Sequence, residues 1–257
     1  MKSEHKELMK QRKRNICLTV AYDGTEYHGF QRQKNCTAVQ NVLEDVLPRI
    51  FNDFIELAAA GRTDAGVHAK GQVVNFFTDG TIPVDSIPRA ANRLLPNDIV
   101  VTAAREVDRD FSALHSAKDK IYIYKMHNNK IPNPLLRRYS WHYEYNLQLE
   151  PMQKALEYIV GTHDFSSFKA AGGAPNMNPV RTIYEAQCEK EDDMYTFRFW
   201  GNGFLYHMVR NIVGTVATVG NNRMSLECFK QVIASKDRTK AGKTAPPEGL
   251  FLWQVNY

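Results

Sequence analysis

The sequence predicts a mixed α/β protein of the α+β type: two βαββαβ-like halves whose strands form antiparallel sheets. Two observations predict it. Stretches with apolar residues at every second position alternate with stretches where they recur every third or fourth, and this order runs through twice in 257 residues. The composition, 43% apolar and 24% charged, is that of a globular chain and excludes a fibre or a wholly disordered polymer.

In the first half, NICLTVAY sets Ile16, Leu18 and Val20 on one face of a half-buried strand. TAVQNVLEDVLPRI then places Val39, Val42, Leu43, Val46 and Ile50 on one helical face, with Thr37 and Gln40 forming a capping box at its start. A short strand near 55–59, the strand QVVNFF, a helix from Ser86 with Ile87, Ala91, Leu94 and Leu95 in register, and the strand DIVVTAAREV complete the half. In the second half, KIYIYKM is a strand. PMQKALEYIVG is a helix with Pro151 near its start and Gly161 past its end. RTIYEAQCE and MYTFRFW form a hairpin around the acidic turn EDD. FLYHMVRNIVGTVATVG puts Leu205, Met208, Val209, Ile212, Val213 and Val216 on one helical face. A helix from Ser225 and the strand GLFLWQVNY end the chain. The resulting organisation is a basic flexible arm over 1–14, an N-terminal α/β domain over 15–112 and a C-terminal α/β domain over 113–257. Two such sheets side by side leave a cleft suited to an elongated ligand.

The formal charge of +5, from 33 Lys and Arg against 28 Asp and Glu, leans toward an anionic partner. Six basic residues against two acidic ones in the first fourteen describe a solvated basic arm. The four cysteines, Cys17, Cys36, Cys188 and Cys228, are far apart and have neither zinc-ligand nor disulfide-framework spacing. No signal-peptide pattern is found, and the longest apolar run, IVGTVATVG, is too short to cross a bilayer. A cytoplasmic protein without a membrane partner is expected.

Residues 58–77, AAAGRTDAGVHAKGQVVNFF, set Asp64 on a tight bend between Gly61 and Gly66, with Arg62 two positions before it. Asp and Gly favour turns, so a simple strand connection accounts for the bend. The alternative is an active site: Arg62 would hold the carboxylate ionised, the glycines would let a ligand approach, and His68, Lys70 and Gln72 lack metal-site spacing. A lone carboxylate can add to an electrophilic carbon or stabilise a sugar oxocarbenium. A hydrolase pairing Asp64 with His68 or His163 lacks a persuasive nucleophile–base spacing.

AAAGRTDAGVHAKGQVVNF is similar to the signature of the tRNA pseudouridine synthase A family. YDGTEYHGFQRQ resembles that family's Y-D-G-x-x-Y-x-G-W-Q-R-Q, with Phe30 in place of Trp. FSALHSAKDKIYIY, GTHDFSSF, GNGFLYHMVRNIVGT and KDRTKAGKTAPPEGLFLWQVNY match further blocks in the same order. The resemblance implies isomerisation of uridine to pseudouridine in the tRNA anticodon stem-loop, at tRNA positions 38, 39 and 40, with neither metal nor cofactor. It also implies the pseudouridine synthase fold, two domains joined across a positively charged cleft, and a homodimer. By this resemblance Asp64 is the nucleophile, acting on sugar or base or as a proton acceptor; Tyr122 stacks on the target base; Arg210 pairs with Asp64; and Leu250 lies under the base. Arg62 serves the carboxylate or a phosphate. Arg32, Lys70, Lys118, Arg238 and Lys240 are candidates for RNA phosphates. Residues 169–182, KAAGGAPNMNPVRT, match poorly, so a paralogue acting on another RNA, or a non-catalytic RNA-binding module, is the alternative.

Overall fold

A computed structural model describes residues 11–172 and 177–257. Among them are ten strands and five α-helices in two compact units, the described residues up to Lys118 with 252–257, and those of 119–251. The first boundary therefore follows Lys118, a few residues beyond the expected division. The last six residues, expected in the second half, cluster with the first.

In the first unit, β1 (Arg14–Tyr22) lies antiparallel between β3 (His68–Thr78) and β4 (Ile99–Val107). The two-residue β2 (Ala58–Ala59) pairs with β3 and is all that forms of the strand expected over 55–59. Ile16, Leu18, Val20, Val74 and Phe76 are at most 6% exposed and make the sheet's share of the core. Helix α1 (Val39–Phe51) has its N-cap at Ala38, one residue after the expected Thr37. Thr37 is exposed, and Asn41 Oδ1 accepts the Ala38 N–H at 3.2 Å. Its buried face is Val39, Leu43, Val46, Leu47 and Phe51, with Val42 and Ile50 only half-buried. Gln40, freed from capping, accepts the Arg32 N–H and donates to Glu44. Helix α2 is short, Ile87–Asn92, with Pro88 in its first turn, where proline is tolerated; Leu94, expected on its apolar face, lies past its end and is 47% exposed.

The basic arm needs correction at its end. Arg14 opens β1 and bonds Glu106, Gly80 O and Ile82 O; Arg12 pairs with Asp53 at 2.9 Å. These residues are anchored by carbonyls and carboxylates, and only residues 1–10 of the expected arm lie outside the described residues.

In the second unit, β5 (Asp119–Asn128), β9 (Met194–Gly201), β8 (Val180–Glu191) and β7 (Gly161–Asp164) follow one another antiparallel, and β6 (Trp141–Tyr143) runs parallel to β5. The β8–β9 hairpin turns at Glu191–Met194, as the EDD signal predicts. Helix α3 (Leu149–Glu157) packs on β8 and on α4 (Met208–Gly220), whose buried positions include every residue predicted for its face. Leu205 lies just ahead of that helix and is also buried. Ser225 caps α5 (Leu226–Ser235), accepting the Cys228 N–H at 3.1 Å. Strand β10 (Leu250–Asn256) ends the chain. Four residues of the 169–182 loop, 173–176, lie outside the described residues.

Candidate active site

The bend carrying Asp64 is a fixed object within the first unit. Asp64 O accepts the Val67 N–H at 3.1 Å, and Gly66, at φ +76°, takes the left-handed position this turn demands. The turn signal in the sequence was therefore correct, and it leaves Asp64 half-exposed while its neighbour Thr63 is buried. Arg62 is exposed. Gln72 Nε2 donates to Gly61 O at 2.8 Å, closing the mouth of the loop onto β3.

The YDGTEYHGF segment cradles this loop, a relation that the spacing of two separate motifs could not reveal. Tyr22 OH and Thr63 Oγ1 lie 2.7 Å apart. A register shift in the β1–β3 ladder between Val20 and Tyr22 sits beside this contact. Phe30 N–H donates to Thr63 O and Gly66 N–H to Tyr27 O. Gly29, at φ +88°, lies so close that a Cβ there would stand 2.6 Å from Thr63 O. Phe30, where the family pattern has Trp, is 1% exposed and packs its ring 6.2 Å from that of Tyr22. His68 is buried and its Nδ1 accepts the Gly24 N–H at 3.0 Å, so its role here is structural support for the loop. Burial pushes the Tyr22 phenol far above its ordinary range, which keeps it a neutral hydrogen-bonding group. Tyr22, Thr63, Gln72 and Gly29 are the positioning residues that sequence reasoning missed. Tyr22 and Gln72 stand at the ends of predicted strands and Gly29 and Thr63 in the connections, and none of these positions names its partner.

Of the residues in the second unit, Tyr122 sits opposite Phe199 on the β5–β9 ladder and is 9% exposed, its ring edge-on to Phe204 at 5.0 Å. Arg210, in the first turn of α4, exchanges hydrogen bonds with Ala245: Arg210 Nε donates to Ala245 O at 2.8 Å and Ala245 N–H to Arg210 O at 3.1 Å. The adjacent Tyr124 donates to Pro246 O at 2.8 Å. Leu250, 5% exposed, follows directly on this stretch. Arg210 and the chain approaching Leu250 are thus organised together around Tyr124. Burial pushes the Glu248 carboxyl above its ordinary range, and Arg210 works against that rise.

The candidate phosphate binders differ in what already holds them. Lys118 and Lys240 are exposed. Lys70 is exposed with its ammonium 4.0 Å from the centre of the Trp253 ring, a cation–π contact that fixes its direction. Arg32 pairs with the buried Glu44. Arg238 spreads its guanidinium over Gly242 O, Asn211 Oδ1 and Thr244 Oγ1 at 2.9–3.0 Å, clasping the 238–244 loop to α4. Among the described residues no group of three or more His, Cys, Asp or Glu is arranged to hold a metal, and no helix is long and apolar enough to cross a membrane.

The family described as tRNA pseudouridine synthase matches residues 18–114 and 155–257, which contain both the Asp64 turn and the Arg210–Ala245 pair. The chain is 46% identical over 244 residues to tRNA pseudouridine synthase A of Thermoanaerobacter sp. (strain X514), covering 95% of this chain and all of that one. It is 47% identical over 244 residues to tRNA pseudouridine synthase A of Caldicellulosiruptor saccharolyticus, with the same coverage of each. A solved archaeal box H/ACA sRNP Nop10–Cbf5 complex aligns at 12% identity and a TM-score of 0.38, over 83% of this chain and 46% of that one. On the family match and the full-length relatives, this chain belongs to the tRNA pseudouridine synthases, isomerases that convert uridine to pseudouridine in tRNA.

Proposed function

We propose that the chain isomerises uridines 38, 39 and 40 in the tRNA anticodon stem-loop, with Asp64 as the nucleophile. The observation carrying this reading is the half-exposed Asp64 on a turn bonded from both sides by Tyr27, Phe30 and Gln72. A carboxylate on a turn held this firmly needs little reorganisation when its target arrives. The reaction breaks the bond between sugar C1′ and base N1 and forms one between C1′ and C5. The C5 proton leaves to solvent and N1 gains one. Atoms and electrons balance within the nucleotide, so the scheme needs no redox partner.

In this reading Tyr122 stacks on the extruded base, since a base inside a helix is out of reach. Leu250 supports the base from below, Arg210 pairs with the Asp64 carboxylate, and Arg62 serves the carboxylate or a phosphate. Arg32, Lys70, Lys118, Arg238 and Lys240 supply phosphate contacts; Lys70, already aimed by Trp253, has the best-fixed charge of the five. The enzyme acts as a cytoplasmic homodimer.

The test is to incubate the chain with an unmodified tRNA transcript and map pseudouridines by carbodiimide adduct formation and primer extension. Stops at 38–40 are the expected result. Stops elsewhere in tRNA would keep the isomerase and overturn the anticodon assignment.

A further inference from the structure

Glu44 is the one acid on the buried face of α1, with 4% of its side chain exposed. Glutamate is seldom buried without partners, and here both carboxylate oxygens are engaged. Oε1 accepts the Leu57 N–H at 3.0 Å and a Gln40 Nε2 hydrogen at 2.9 Å, and the Arg32 guanidinium forms an ion pair at Oε2. Fold stability does not account for this arrangement. Leu43 and Leu47 beside it are fully buried, and a well-packed apolar side chain commonly serves as well as a buried ion pair. What the carboxylate supplies is geometry: it fixes partners from three stretches of chain at one point.

Those stretches bracket the Asp64 turn. Leu57 stands at the entry to β2, and beyond it Ala60 N–H donates to Val73 O at 2.8 Å. On the other side Gln40 takes the Arg32 N–H on Oε1 at 3.1 Å, while its own main-chain N–H donates to Phe30 O at 2.9 Å. Phe30 N–H donates in turn to Thr63 O at 3.1 Å, and Gly66 N–H to Tyr27 O at 3.2 Å. One path of hydrogen bonds thus runs from Glu44 through Gln40 and Phe30 to Thr63. A second runs from Glu44 to Leu57 and along the chain into the same turn. The Arg32 side chain is 55% exposed, so its outer edge faces solvent while Glu44 holds the inner one.

We propose that Glu44 is a positioning residue for Asp64. Its carboxylate locks the Gly29–Arg32 segment and the approach through Leu57 in one register, and so sets where the Asp64 carboxylate stands when a uridine arrives. A displacement on the order of 1 Å at a reacting group is enough to slow a reaction by a large factor. The inference rests on Asp64 as the nucleophile and adds to it a residue of α1 that acts through its partners.

Glu44→Gln and Glu44→Leu in the full chain test it, by single-turnover tritium release from C5-labelled uridine in saturating unmodified tRNA. Melting temperature, tRNA affinity and amide hydrogen exchange are measured alongside. Release is expected to slow by at least about tenfold, with tRNA affinity within about threefold of wild type. Glu44→Leu is expected to melt no lower than wild type, because it replaces a buried ion pair by an apolar group. The Gly66 and Val67 amides are expected to exchange at least about tenfold faster, while those of Leu18 and Val74 in the sheet stay protected. Release at the wild-type rate from either folded variant would overturn the proposal. So would loss of the fold in both variants, which would make Glu44 a scaffold residue, or weakened tRNA binding at an unchanged release rate, which would leave it only to aim Arg32 at a phosphate. The exchange measurement reads the turn itself, so an active Asp64→Asn would remove the nucleophile while the hold of Glu44 on the turn is judged separately.

Discussion

At the smallest scale Asp64 is half-exposed, and Thr63, one residue earlier, is buried and holds the chain in place through Tyr22 and Phe30. Tyr22→Phe removes one buried hydrogen bond, worth about 1 kcal/mol. It is expected to lower the melting temperature by a few degrees and reduce kcat several-fold with KM unchanged. An equal fall in tRNA affinity would contradict a positioning role. Gly29→Ala meets both a left-handed backbone and Thr63 O at 2.6 Å; a loss of at least about 2 kcal/mol in urea unfolding is expected. At this scale the sequence was legible where chemistry is local. The Asp–Gly turn, the Ser225 cap and the α4 face could each be read from a few neighbouring residues. The Tyr22–Thr63 contact was not, because a hydroxyl on a strand does not announce a partner forty-one residues away.

Elements were read well wherever the apolar period ran long, as in β1, β5, β8, β9 and α4. They were misread where a cap or a proline competes with the period. Helix α1 starts at Val39, with Asn41 Oδ1 accepting the Ala38 N–H, and its buried face takes in Leu47 while Val42 is only half-buried. The 3₁₀ turn over Val84–Ser86 and the short α2 reflect the same limit near prolines. Arg238 shows how an element can be held by one cation. Its guanidinium satisfies Gly242 O, Asn211 and Thr244, and Gly242 N–H in turn bonds Thr215 Oγ1 on α4. Arg238→Ala is expected to destabilise the chain by about 2 kcal/mol, read as a lower urea midpoint at unchanged m-value. Full stability in that variant, with weaker tRNA binding, would assign the guanidinium to phosphate instead.

For the molecule as a whole, antiparallel sheets and two units were legible, because strand and helix periods alternate in a repeated order. The placement of the last six residues with the first unit was not, since sequence position alone assigns a terminal strand to the half it follows. The excess of five positive charges is a property of the whole chain, and its consequence belongs to binding: affinity for tRNA is expected to fall linearly on a double-logarithmic plot against salt. Lys70→Ala should reduce that slope by about one phosphate contact; an unchanged slope and affinity would remove Lys70 from the RNA surface. The proposed nucleophile of this isomerase is the carboxylate of Asp64. The direct measurement is tritium release from C5-labelled uridine in unmodified tRNA by wild type and Asp64→Asn, with tRNA binding measured alongside. Release by the wild type, release at least about a thousandfold slower from the variant, and tRNA affinity within about tenfold of wild type are the predicted results. Release by Asp64→Asn at a rate comparable to wild type would contradict a nucleophilic Asp64.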